Sequence, residues 1–196
     1  MCAAGSNVHS QLTGKHMHLS NQPREFLSLR NNWQAEANQR GRTSESKFDD
    51  VMSQIFAAEG FDYYVLHRKV RHLKRLYGPH NRWGVVPDSA VENTRTKRTV
   101  FVEVKRQRAR GNAHERACKF FAPGLVTKAR EIGNIRPEHY PFFWIFTNGM
   151  AEDEKYRSAI SFWFNSPKSK NHYLLWNKTP LQLLDFFQNS MRPVLD

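Results

Sequence analysis

Pro87-Asp88 is followed, after fourteen residues, by Glu103-Val104-Lys105. Two carboxylates and a lysine at that spacing, set on neighbouring strands, could hold a divalent metal ion and a water beside a phosphodiester. Hard oxygen ligands that leave room for water suit Mg²⁺, which would activate the water and stabilise charge on phosphate oxygens. Lys105 would orient the attacking water or offset charge in the transition state. Directly downstream runs Arg110-Gly-Asn-Ala-His-Glu-Arg116. Arginine pairs bidentately with guanine and asparagine with adenine in the major groove. A candidate chemistry and a candidate address therefore share one short stretch.

For Asp88 and Glu103 to meet, two strands must pair in one register. In Thr99-Val-Phe-Val-Glu-Val-Lys105, Val100, Val102 and Val104 alternate with Phe101, Glu103 and Lys105. A period of two places the valines on a core face and Glu103 with Lys105 on the other. Val85-Val-Pro-Asp-Ser-Ala-Val91 reads as a second short strand, and Asn93-Thr-Arg-Thr-Lys97 as its turn. A four-residue loop from Thr94 to Lys97 sets Asn93 opposite Arg98, and therefore Asp88 opposite Glu103. Opposed residues have Cβ atoms roughly 5 Å apart, so both carboxylates could ligate one ion. Without a cation the like charges repel. Pro87 has no N–H for the ladder and predicts a bulge or an edge that re-aims Asp88. The plainer alternative is a solvated hairpin, because Pro-Asp is a common turn dipeptide and Glu-x-Lys occurs on many exposed strands. The valine alternation, the register and the basic segment together favour the metal site.

Thirty Lys and Arg against 18 Asp and Glu give a formal charge of +12 and a pI near 10.0. That balance points to a polyanionic partner, nucleic acid first. The charges are clustered. Arg106, Arg108, Arg110 and Arg116 crowd the segment after Lys105, while Arg68, Lys69, Arg71, Lys74 and Arg75 form a second group suited to phosphates. Cys2 and Cys118 cannot build a disulfide framework and fit a reducing compartment. No apolar run approaches membrane length and no signal-peptide core opens the chain, so a cytoplasmic protein with no membrane partner is expected.

Residues 1–21 are rich in Ser, Asn, Gln and His without apolar periodicity and predict a flexible amino-terminal arm. Residues 22–196 are expected to form a single domain. Apolar spacing predicts a helix from Ser44 to Gly60, a strand from Phe61 to Arg68, and then the hairpin. A second helix should run from Asn112 to Phe121, with Asn112 as cap and Glu115 completing a capping box. It resumes from Leu125 to Gly133. Tyr140–Thr147 and Tyr173–Trp176 read as strands, and Thr179–Ser190 as a closing helix. The order predicts an α/β fold, a mixed central sheet flanked by helices.

Asp on one central strand with Glu-x-Lys on the next resembles the PD-(D/E)xK nuclease superfamily. Within it, three stretches are similar, in order, to MunI-like type II restriction endonucleases. They are Trp83-Gly-Val-Val-Pro-Asp-Ser-Ala-Val-Glu-Asn-Thr94, Glu103-Val-Lys-Arg-Gln107 and Arg110-Gly-Asn-Ala-His-Glu-Arg-Ala-Cys-Lys-Phe-Phe-Ala-Pro-Gly-Leu125. EcoRI-like enzymes share the sparser Gly111-Asn-Ala113 and Glu115-Arg116. The likeness runs from about Asn32 onward.

The resemblance implies a restriction-endonuclease-like fold and a homodimer that cuts a palindrome in double-stranded DNA with Mg²⁺. Asp88 and Glu103 would be metal ligands, joined by Val104, and Lys105 the catalytic lysine. Asn112, Ala113 and Arg116 would read an inner AATT, and Arg110 an outer C·G pair. Glu45 would match an auxiliary acid, and Glu115 would hold the reader arginines in place. The implied cut is C^AATTG with four-base 5′ overhangs, and host protection implies a companion DNA methyltransferase. A GAATTC-type site, a structure-selective repair nuclease of the same superfamily and a non-catalytic basic nucleic-acid-binding protein stay open. For the residues alone, Asn112 as a plain cap and Arg116 as a partner of Glu115 stay open too.

Overall fold

A computed structural model describes residues 44–66, 86–107, 111–165 and 171–196. The arm expected at 1–21, the basic cluster from Arg68 to Arg75, and both Arg108 and Arg110 lie outside them. Helix α1 covers residues 44–58. Phe48, Met52, Ile55 and Phe56 are buried along one face with Val51 packed beside them. Gly60 closes the helix at φ +63°, a conformation without steric penalty for a residue lacking Cβ.

Strands β1 (Tyr63–Leu66), β2 (Ser89–Asn93) and β3 (Thr99–Arg106) form an antiparallel meander, to which β4 (Phe142–Thr147) and β5 (Tyr173–Trp176) add in parallel. The turn between β2 and β3 is built by Asn93. Its N–H donates to the Arg98 carbonyl at 3.0 Å, and its Oδ1 accepts from the N–H groups of Arg95 and Thr96 at 2.8 and 3.1 Å. Lys97 takes the left-handed conformation at φ +57° that closes the loop. Ser89 then pairs with Val102 and Val91 with Val100, the register expected from the sequence. Carried one residue further, it puts Asp88 at Glu103.

Both faces of the sheet are covered. On one, Val91, Val100, Val102, Val104, Phe143 and Ile145 pack against α1 and the carboxy-terminal helices α6 (Pro180–Phe186) and α7 (Arg192–Leu195), which a π turn at Phe187–Met191 joins. On the other, Phe101, Phe142, Trp144 and Phe146 pack under α2 (Ala113–Ala117), α3 (Pro123–Gly133) and α5 (Glu154–Phe164). The second layer decides the environment of Glu103: its strand face meets protein where a bare hairpin would meet water. Helices α4 (Gly149–Glu152) and α5 were not expected from the sequence. α5 starts at Asp153, whose side chain accepts the Lys155 N–H, and buries Tyr156, Ile160 and Phe164 at helical spacing. Among the described residues no helix is long and apolar enough to cross a membrane.

Candidate active site

β2 begins at Ser89, so Pro87 and Asp88 precede the ladder. The register would set Val104 against Pro87. Instead the Val104 N–H donates to Asp88 Oδ2 at 2.9 Å, and the carboxylate is turned onto β3. Lys105 Nζ lies 3.2 Å from the same oxygen and pairs closely with Glu103 Oε1. It also approaches the Val104 carbonyl at 3.5 Å. Asp88, Glu103 and Lys105 thus form one compact group, with Asp88 4 % and Glu103 2 % exposed.

A second lysine reaches the group. Lys119 Nζ lies 3.5 Å from Glu103 Oε1, carried there by a 3₁₀ turn at Cys118–Phe121. The turn is pinned over the sheet by two hydrogen bonds, Trp144 Nε1 to the Ala117 carbonyl and Tyr140 hydroxyl to the Phe120 carbonyl. Sequence reading passed over Lys119. Its signal was position: three residues past Arg116, beside the buried Phe120.

Burial pushes the Glu103 carboxyl up to about 7, and the charge of Asp88 adds to that; Lys105 and Lys119 pull the other way. Burial alone would lower the Lys105 ammonium, but Glu103 and Asp88 outweigh it and hold its pKa above the ordinary lysine value. Glu103 Oε2 is buried with no hydrogen-bond partner. An orphaned carboxylate oxygen inside a protein is costly unless something absent from the chain meets it. Two carboxylates and a backbone carbonyl make a hard oxygen set, and a valine at 104 can offer only that carbonyl. Such a set fits a cation of the Mg²⁺ type that keeps several waters. Among the described residues no group of three or more His, Cys, Asp and Glu could hold a metal, so any ion here would rest on two side chains, backbone and water.

The other sequence-predicted residues fall unevenly. Asn112 and Arg116 are exposed at the start and within α2. Ala113 does not share their face; it is buried in the apolar layer. The expected capping box does not form. Asn112 sits at φ −124°, ψ 37° and makes no side-chain cap bond, and that ψ keeps its side chain from curling over the helix end. The first N–H of the helix, that of Ala113, donates to Gln107 Oε1 at 3.0 Å. Glu115 is exposed, with Oε1 3.9 Å from His114 Nε2, and α2 gives way to the 3₁₀ turn before the expected end at Phe121. Glu45 is half-buried in the first described turn of α1. One turn on, buried Asp49 accepts a short hydrogen bond from Ser89, the residue after Asp88. Asp49 ties α1 to the start of β2, a link the sequence did not signal.

Comparison with known proteins places relatives beside the chain. A family model described as type II restriction enzyme MunI matches residues 22–196. The type II restriction enzyme MunI of a Mycoplasma species is 35 % identical over 202 residues, spanning 87 % of this chain and 98 % of the relative. A crystal structure of MunI restriction endonuclease in complex with cognate DNA is similar at a TM-score of 0.64 and 31 % identity, covering 84 % of this chain and 98 % of that one.

Proposed function

The chain belongs to the MunI family of type II restriction enzymes, site-specific deoxyribonucleases, and from that premise we propose that it cuts double-stranded DNA at C^AATTG as a Mg²⁺-dependent homodimer. The observation that carries the reading is the buried Asp88–Glu103–Lys105 group with the open Glu103 Oε2, set beside an exposed Asn112 and Arg116. Residues 22–196, the span of the family match, would be the endonuclease domain and residues 1–21 an added arm.

Asp88, Glu103 and the Val104 carbonyl would hold the ion, whose contribution is to activate a water and offset charge on the phosphate. Lys105, already between both carboxylates, keeps a positive charge where negative charge builds at the reacting phosphate. Asn112 and Arg116 would read the inner AATT from the major groove, and Arg110 the outer pair. Ala113, with its methyl in the core, would serve that reading by letting α2 sit close to the sheet. Glu115 and Glu45 would act as auxiliary acids. The net charge of +12 supports the DNA partner.

Digestion of a long DNA with Mg²⁺, followed by sequencing of the ends, tests the proposal. Discrete fragments ending in 5′-AATT overhangs are expected. Overhangs from GAATTC would reassign the outer pair, cuts confined to branched DNA would point to a repair nuclease, and intact DNA would leave a binding protein.

A further inference from the structure

Gln107 lies one residue past β3, on the strand face that carries Glu103 and Lys105. Its Oε1 accepts the Ala113 N–H of α2 at 3.0 Å, and its Nε2 donates to the Tyr156 hydroxyl of α5 at 2.8 Å. One amide thus spans the catalytic strand, the start of α2 and the helix behind it. Tyr156 in turn sets its ring edge against His114, buried on α2. The chain makes room for this amide. Gly111 has φ +151°, and a Cβ there would lie 2.1 Å from Gln107 Nε2.

The first N–H groups of any helix lack partners within the helix, and a capping side chain just before it is the usual remedy. Here Asn112 occupies the capping position and makes no such bond. Gln107, just past the end of β3, supplies an acceptor for the first of those groups, the Ala113 N–H, and the Asn112 side chain makes no bond to the helix. We propose that Gln107 is a positioning residue that sets α2, and with it the exposed Asn112 and Arg116, against the catalytic strand. The proposal rests on the assignment of Asn112 and Arg116 as readers. A base contact at Asn112 is then transmitted to β3 through one side chain, and a wrong base displaces the phosphate relative to Lys105. The cost should fall on turnover more than on binding.

Steady-state cleavage of the cognate duplex and of one with a single inner pair changed decides it, with thermal melting of each variant as control. Gln107→Leu is expected to reduce the cognate-to-changed ratio of kcat/KM by about tenfold or more, chiefly through kcat. Gln107→Glu keeps an acceptor for the Ala113 N–H and can accept from the Tyr156 hydroxyl, so its ratio should stay within about threefold of wild type. Should Gln107→Leu fail to fold, Tyr156→Phe removes the acceptor of the Gln107 Nε2 bond and should lower the ratio by a smaller factor. An unchanged ratio in Gln107→Leu, or in Tyr156→Phe where that variant stands in, overturns the proposal, as does a Gln107→Glu as impaired as Gln107→Leu. Asn112→Ala and Arg116→Ala separate the two readings. If both keep the wild-type ratio, the reader assignment fails and the brace fails with it. If they lose it while Gln107→Leu does not, the brace alone fails.

Discussion

Burying Glu103 beside Asp88 costs the fold stability that a cation returns, and Lys105 is the cation the chain itself supplies. Chemistry and folding can therefore be separated one residue at a time. Asp88→Asn and Glu103→Gln each remove a negative charge from the interior, so both are expected to melt within a few degrees of wild type while losing roughly 10³-fold or more of cleavage. Turnover at the wild-type rate by either would overturn the catalytic assignment. Lys105→Ala should lose cleavage as well, but by a different balance of effects. It leaves two buried carboxylates facing each other, at a cost of about 3 kcal/mol, the low end for a broken buried pair because Lys119 remains near Glu103. Calorimetry with and without Mg²⁺ checks this, since added metal should narrow the gap to wild type.

The hairpin of β2 and β3 was legible because its determinants are local: Asn93 builds the turn, and three alternating valines choose the face. A register fixed that way brings Asp88 to Glu103 without help from the rest of the chain. The depth of the site was not legible, because the face that carries Glu103 is covered by a helical layer from later in the chain, from which Lys119 on the 3₁₀ turn reaches Glu103. The capping box failed because Asn112, at φ −124° and ψ 37°, lies outside the extended backbone that a capping residue takes. α5 escaped notice although Asp153, Tyr156, Ile160 and Phe164 carry a cap and a helical stripe, for Asn148 and Gly149 break the run before it. The turn into β5 makes a prediction of its own. His172 stacks on Phe143 with ring centroids 4.2 Å apart, and its Nδ1–H donates to the Phe142 carbonyl at 3.0 Å. Burial drops its pKa to about 4, against the raising effect of that hydrogen bond. A depressed histidine contributes stability above its unfolded value near 6.5 that is lost as pH falls toward 4, about 2 kcal/mol by pH 5. Glu103, raised to about 7, acts in the opposite sense over the same range. The comparison must therefore be with His172→Phe, whose melting temperature should fall less than that of wild type between pH 7 and pH 5. Parallel curves for the two proteins would show that His172 does not titrate in this window.

A palindrome presents the same half-site twice, so the assembly that cuts it is expected to be a dimer whose two-fold axis coincides with that of the DNA. Light scattering on an AATT-centred duplex should give two protomers per duplex, and a single protomer would contradict it. With a formal charge of +12, affinity for that duplex should fall steeply with salt, the logarithmic slope growing by roughly 0.9 for each phosphate neutralised. A flat salt dependence would mean that the basic residues face elsewhere. The buried carboxylate pair also biases how such a protein is lost by mutation. A cell that acquired this nuclease with its cleavage sites unprotected would survive only in clones that had disabled it. Clones neutral at Asp88 or Glu103 have shed repulsion from the interior and should accumulate an inert but well-folded chain. Clones altered at Lys105 keep two buried anions and should surrender theirs to proteolysis. Sequencing survivors and blotting for the protein is expected to find wild-type amounts in the first class and depletion in the second. Equal amounts in both would mean that the pair does not depend on Lys105 to stay together.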